Sequence, residues 1–279
     1  MNKEKAGRNI RQGILILILG FYCIISLLPF FWTFSSSLRL PTESYKMPPS
    51  FFPTDFHYQH YISVFTHFPF FRFISNSLFV SFTIMILSLG VTTMAAYSFA
   101  RIDFRGKKVF FVVFMSGMMV SHYATMISLY IVMSKLHLVG SLWALIIPGT
   151  IHPFHIFLVR QFMMTIPKSY EEAAEIEGCG HFVIYWKIMV PMSKPVMMIA
   201  GLQAFIGSWN DFLGPLIYLS NWDKMTLPIG IRLLNGYMGT GSMSVILAGI
   251  TLSLIMPITL YLFGQRYLIK GIALTGIKS

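Results

Sequence analysis

Apolar residues in this chain are gathered into long blocks, and six of them reach the roughly 20 residues a helix needs to cross a hydrocarbon core. They are residues 13–34, 73–100, 109–134, 136–159, 195–219 and 243–264. The pattern predicts an all-α, polytopic membrane protein with six transmembrane helices. A short polar segment, 1–12, precedes the first block, and a polar tail, 265–279, follows the last. Two connections are long enough to hold structure of their own, 35–72 and 160–194. Prolines inside the blocks (Pro148 beside Gly149, Pro153, Pro215) predict kinks, which neighbouring helices make tolerable by satisfying the freed carbonyls. In the first long connection Tyr58, Tyr61, Phe65 and Phe68 recur at helical spacing, which fits a short interfacial helix or an aromatic belt at the headgroups.

Lysine and arginine set the orientation. With the N-terminus in the cytoplasm, 15 of the 21 basic residues fall in inner segments and six in outer ones. That bias places both termini inside. Composition agrees with the block pattern: 55% of residues are hydrophobic and only 11% charged, against about 25% charged in soluble domains. The net charge of +11 does not point to nucleic acid, because the basic residues are scattered between apolar spans. Cys23 and Cys179 lie too far apart in sequence to imply a disulfide framework, and no metal-ligand spacing accompanies them.

The connection 160–194 holds four of the ten acidic residues. Ser169 followed by Glu172 reads as a capping box opening a helix. Glu171, Glu172 and Glu175 then share one arc, and Ala173, Ala174 and Ile176 the next. Gly178 can take the left-handed conformation that stops the helix. A second helix through Phe182, Tyr185, Trp186 and Ile188 is ended by Pro191. The segment is either a well-capped hairpin between two spans or a docking surface whose carboxylates suit a groove with basic walls.

This stretch resembles the EAA motif of ABC importer permeases: Glu-Ala-Ala, three residues, Gly, nine residues, then Ile-x-Leu-Pro. Here Glu172, Ala173, Ala174, Gly178, Ile188 and Pro191 stand at the matching positions, with Val190 in place of the usual leucine. Glu177 and Cys179 depart from the family's common aspartate and alanine. Asn76-Ser77-Leu78, Ala96 to Arg101, Trp209-Asn210-Asp211-Phe212 and Gly271 to Lys278 are similar to the sugar-importer branch. The chain thus resembles the smaller, six-helix subunit of maltose-type carbohydrate transporters, in the binding-protein-dependent type I importer family.

The resemblance implies a permease subunit in a prokaryotic cell membrane. It would pair with a second, different permease subunit, with two ATP-binding subunits and with an extracytoplasmic solute-binding protein. Glu172, Ala173, Ala174, Gly178, Ile188 and Pro191 would couple ATPase closure to alternating access, with residues 169–178 as the coupling helix. The chain has no GxxxxGK[ST] loop, in keeping with a transporter subunit that is no enzyme: ATP and Mg would be bound by the partners, and no cofactor by this chain. Thr275, Gly276 and Lys278 would belong to a tail that reaches the ATPases; a frayed end near lipid headgroups is the other reading.

Asp211 is the one carboxylate well inside a span, and such groups are functional candidates. With Trp209 and Asn210 it would line the translocation path, or it bonds a neighbouring helix or the backbone freed near Pro215. His122, His152 and His155 have no carboxylate at ligand spacing, so they imply packing and no metal. Two other classes fit poorly. An ion-coupled secondary transporter calls for more intramembrane carboxylates and inverted repeats, and an intramembrane enzyme calls for motifs such as HExxH or GxSxG. Within the family, glycerol phosphate, a polyamine or an amino acid would be alternatives to sugar as cargo.

Overall fold

The computed structural model of the chain describes residues 2–40, 52–53, 55–236 and 242–276, with backbone alone at 2–10, 122 and 266–276. Its α-helices, in order, are α1 (Asn2–Ser37), α2 (Gln59–Thr66), α3 (Phe70–Arg101), α4 (Lys107–Ser116), α5 (His122–Lys135), α6 (Trp143–Gly149), α7 (Pro153–Thr165), α8 (Ser169–Ile176), α9 (His181–Ile184), α10 (Val190–Met192), α11 (Lys194–Trp209), α12 (Leu213–Tyr218), α13 (Leu227–Leu234) and α14 (Met243–Gly276). The described residues contain no strand. The chain divides into two compact units, residues 1–68 with 231–254 and residues 69–230 with 255–279.

In the first unit, the apolar residues of α1 from Ile14 to Phe31 are exposed, as expected of a face meant for lipid or a neighbouring subunit. The end of α1 is different: Ser35, Ser36, Ser37 and Arg39 are all buried. The Arg39 guanidinium donates to Ser35 Oγ at 2.9 Å and lies 4.9 Å from the Trp32 ring centroid. Ser37 shares a 2.7 Å hydrogen bond with Tyr61 of α2, and Ser244 Oγ donates to the Arg39 carbonyl. The helical spacing of Tyr61 and Phe65 is realised in α2.

In the second unit α3 packs along both α7 and α11. One core cluster gathers Ala96 and Tyr97 of α3 with Val159 and Met163 of α7, Val196 and Ala200 of α11, and Ala174, Ile184 and Met189 from the connection between them. A second gathers Val80, Ile84, Met133, Ala144, Leu145, Ile146 and Tyr218.

Three described helices are long and apolar enough to cross a membrane unaided: α1, α3 and α14. The other three blocks are not the uninterrupted spans that their composition predicts. Block 109–134 is broken after a 3-10 turn at Gly117–Met119, where Val120 and Ser121 adopt extended backbone, and its halves meet at 108°. Block 136–159 forms helix only from Trp143, is interrupted at 150–152 ahead of Pro153, and continues to Thr165. Block 195–219 breaks at 210–212, upstream of Pro215. A proline has no N–H and its ring crowds the carbonyl four residues earlier, here that of Asp211, so the helix stops ahead of it and restarts. α14 passes the expected end of its span at 264 without interruption and remains helical to Gly276.

Candidate functional site

The acidic elbow is built by two helical segments between α7 and α11. Ile166 is extended, Pro167 follows, and α8 begins with Lys168 already in helical conformation. The N–H groups of Glu171 and Glu172 both donate to the Lys168 carbonyl. The expected capping box between Ser169 and Glu172 does not form. Ser169 is inside the first turn, one position too late to cap it, and no side chain caps this end.

The C-terminal end forms as anticipated. Gly178 has φ +79°. The N–H of Cys179 donates to the Ala174 carbonyl and that of Gly178 to the Glu175 carbonyl, both at 2.9 Å. These two bonds constitute a Schellman closure. Its accompanying apolar contact comes from Cys179, which packs on the core that contains Ala174. Both cysteines are free thiols.

Ala173 and Ala174, adjacent on the expected arc, face opposite ways. Ala174 is buried in the core, whereas Ala173 points outward with Glu172, Glu175 and Glu177. Beside these carboxylates lie apolar side chains that a monomer would ordinarily bury: Ile176 is 88% exposed, Phe182 73% and Trp186 61%. Ile188 is half-buried against the core and Pro191 is exposed.

Glu171 is turned the other way. Its carboxylate lies 2.7 Å from the guanidinium of Arg101, the last residue of α3, and both side chains are nearly buried. Burial pushes the Glu171 carboxyl above the usual carboxylate range, further than the adjacent Arg101 pulls it down. The sequence puts Glu171 on one arc with Glu172 and Glu175, because nothing local connects it to a residue 70 positions earlier.

Between α9 and α10 the backbone widens into a π-turn, Tyr185–Met189, closed by the Val190 N–H on the Tyr185 carbonyl. The wider turn makes room for the ring of Pro191. Tyr185 Oη is 2.8 Å from Thr93 Oγ1 of α3, which pins the second half of the elbow to the same helix. α10 ends at Met192, one residue beyond Pro191, and α11 leaves at 79° to the preceding helix.

A cavity of about 580 Å³ lies in the second unit. Ser77, Thr125, His152, Gln203, Ser208 and Asp211 supply polar groups to its wall. Of the three adjacent path candidates, Asp211 lines the cavity, Trp209 is buried and stacked on Phe205, and Asn210 is exposed where α11 ends. Asp211 Oδ1 also accepts the Gly214 N–H at 3.1 Å, so it caps the first turn of α12. A Cβ at position 214 would collide with the other Asp211 oxygen. His152 and His155 are neighbours, 4.8 Å between ring centroids, and no group of three metal-ligating residues exists among the described residues. The side chains of His122 and Thr275, and all of Lys278, lie outside what the structure describes, and Gly276 is described as helical backbone.

Asn76 and Ser77 acquire a role that their sequence does not show. The Asn76 amide donates to the carbonyls of Asp223 and Met225, Ser77 Oγ accepts from the Leu227 N–H, and Arg72 pairs with Asp223. Together they fasten the connection after α12 to the start of α3.

A family model described as the binding-protein-dependent transport system inner membrane component matches residues 88–273. The arabinooligosaccharides transport system permease protein AraQ of Halalkalibacterium halodurans is 31% identical over 272 residues, covering 96% of this chain and 97% of that protein. The galactooligosaccharides transport system permease protein GanQ of Bacillus subtilis is 29% identical, covering 98% of each. A crystal structure of a bacterial ABC transporter involved in the import of the acidic polysaccharide alginate contains a chain that superposes with a TM-score of 0.81 at 23% identity, covering 94% of this chain and 97% of that one. The fold is therefore that of a type I importer permease.

Proposed function

Because this chain belongs to the family of binding-protein-dependent transport system inner membrane components, we propose that it is the permease subunit through which an ABC importer moves an oligosaccharide. Members of this family are membrane-embedded permease subunits of ABC transporters, not enzymes. The oligosaccharide cargo rests on the relatives that match nearly end to end, AraQ and GanQ among them. The subunit works in a prokaryotic cell membrane, alongside a second and different permease subunit, two ATP-binding subunits that hold ATP and Mg, and an extracytoplasmic binding protein.

The observation that carries the mechanism is the two-sided elbow. Its inner side, Glu171, Ala174, Ile184 and Tyr185, is committed to the helices. Its outer side presents Glu172, Ala173, Glu177 and the exposed Ile176, Phe182 and Trp186. A surface that mixes carboxylates with large apolar groups suits a cleft with basic walls and an apolar floor. ATP-driven closure of the two ATP-binding subunits pushes this surface, and Gly178, Ile188 and Pro191 hold the shape that passes the push on. Asp211 is a wall of the path, and the tail 265–279, through Thr275, Gly276 and Lys278, adds a second contact with the ATP-binding subunits.

The test is uptake of labelled arabino- and galacto-oligosaccharides by proteoliposomes holding the assembled complex, together with copurification of the ATP-binding subunits. Glu172→Lys should lower both more than Glu172→Gln, since like charge against a basic cleft adds repulsion to a lost hydrogen bond. Uptake that persists without ATP and collapses with a protonophore would replace this reading with an ion-coupled transporter. Wild-type copurification and uptake in Glu172→Lys would reduce the elbow to a connector.

A further inference from the structure

We propose that Arg101 is the positioning residue that makes α3, α7 and the coupling helix α8 move as one piece, by clamping all three through a single guanidinium. The proposal rests on the coupling function given above and names the parts that carry the motion.

An arginine in the last turn of a long apolar helix ordinarily stretches its head group into water or headgroups. Arg101 does not: its side chain is only 6% exposed. Its Nε faces Glu171 of α8 at 2.7 Å. Its Nη2 donates to the carbonyls of Met163, at 2.8 Å, and Ile166, both at the C-terminal end of α7. One planar fork thus serves a carboxylate in the first turn of one helix and two carbonyls at the end of another. Helix dipoles favour both signs, a cation at the end of α7 and an anion at the start of α8. Lysine, a point charge without the fork, cannot combine the ion pair with two directed hydrogen bonds to carbonyls.

The contact between α3 and α7 is reciprocal. Arg160 of α7 donates from Nε to the Phe99 carbonyl of α3 at 3.1 Å, and its guanidinium lies 4.3 Å from the Phe111 ring centroid. Each helix therefore sends an arginine onto the other's terminal carbonyls, and that end of the pair is braced. α8 adds little apolar attachment of its own, since Ala174 is its only buried residue. One methyl group cannot hold an eight-residue helix in a fixed attitude when a partner pushes on its far side. The ion pair supplies the missing constraint. Buried pairs add little net stability relative to apolar packing, but they specify geometry, and removing one partner leaves the other charge stranded.

Two measurements on the assembled complex test the clamp. Hydrogen exchange reads it directly, through the amides of Glu177, Gly178 and Cys179 that close α8. Arg101→Met and the near-isosteric Glu171→Gln should accelerate these amides roughly tenfold while leaving the middle of α3 unchanged. Oligosaccharide uptake per ATP hydrolysed reads transmission. It should fall roughly 2- to 30-fold in both variants, the range for residues that carry coupling without touching ligand, with the ATP-binding subunits still copurifying. Arg101→Lys should lie between wild type and Arg101→Met in both readings. Unchanged exchange in Glu171→Gln would overturn the clamp. Looser exchange with wild-type uptake per ATP would overturn the transmission role and leave only a staple. Failure of the wild-type complex to import any oligosaccharide would defeat the functional reading instead, and the exchange result would still judge the clamp.

Discussion

At the scale of single residues, the elbow depends on two positions whose demands are opposite. Gly178 needs backbone freedom: at φ +79° a Cβ meets nothing within 4 Å, so the obstacle to substitution is conformational and not steric crowding from neighbours. The left-handed conformation costs an L-residue about 1–2 kcal/mol, and a β-branched one resists it most. Gly178→Val should therefore leave insertion and copurification near normal while uptake falls severalfold; normal uptake would show that the closure is dispensable. Glu171 instead needs its surroundings. Because burial raises its carboxyl above the ordinary 4.5, the folded chain holds this proton more tightly than the unfolded chain does. The stability it contributes is full below 4.5 and is lost as pH rises through the shifted value. Melting temperature of the wild-type complex, taken against Glu171→Gln over that window, should fall with rising pH. The opposite slope would mean that attraction to Arg101 outweighs burial.

Among elements, the instructive case is the broken block that yields α11 and α12. Its break lets Asp211 do two jobs, capping α12 through the Gly214 N–H and lining the cavity. Substitution separates them. Asp211→Asn keeps an oxygen that accepts the Gly214 N–H but removes the charge, while Asp211→Leu removes both. If capping is the main role, uptake in Asp211→Asn should stay within about twofold of wild type and Asp211→Leu should destabilise by roughly 0.5–2 kcal/mol, the cost of a lost cap. If the charge lines the path, Asp211→Asn alone should lower uptake without changing the melting temperature. The two measurements on the same pair of proteins decide it.

For the molecule as a whole, the orientation rests on basic residues, and the structure qualifies how some of them act. Arg39 and Arg72, counted on the outer side, are engaged by Ser35 with Trp32 and by Asp223, and Arg101, on the inner side, is committed to Glu171. The positive-inside bias reads charges within short loops regardless of such partners, so these contacts do not alter the expected topology, which labelling tests. In a background lacking Cys23 and Cys179, cysteines at Lys107 and Lys224 should react with a membrane-impermeant maleimide from opposite faces. Reaction of both from outside intact cells would refute the orientation.

Much of this was legible along the chain because it depends on local or compositional physics. Long apolar blocks specify helices that cross a bilayer, since unpaired backbone polar groups are costly there. Gly178 as a helix stop, Pro153 and Pro215 as sites of interruption, and Ile188 with Pro191 at the family spacing are likewise properties of short stretches, whereas Pro148 stays inside α6. What the chain alone could not reveal is which polar groups meet. The capping box failed because Pro167 lets helical conformation begin one residue early, a shift of register that composition does not report. Ala173 and Ala174 look equivalent in sequence, yet only Ala174 meets the packed ends of α3 and α7. Arg101 reads as an ordinary interfacial charge, and Glu171 as one of four acidic residues. Only the folded chain brings them to 2.7 Å, because a long-range ion pair is decided by where the helices end in space, and each of those ends is set by packing far from either residue.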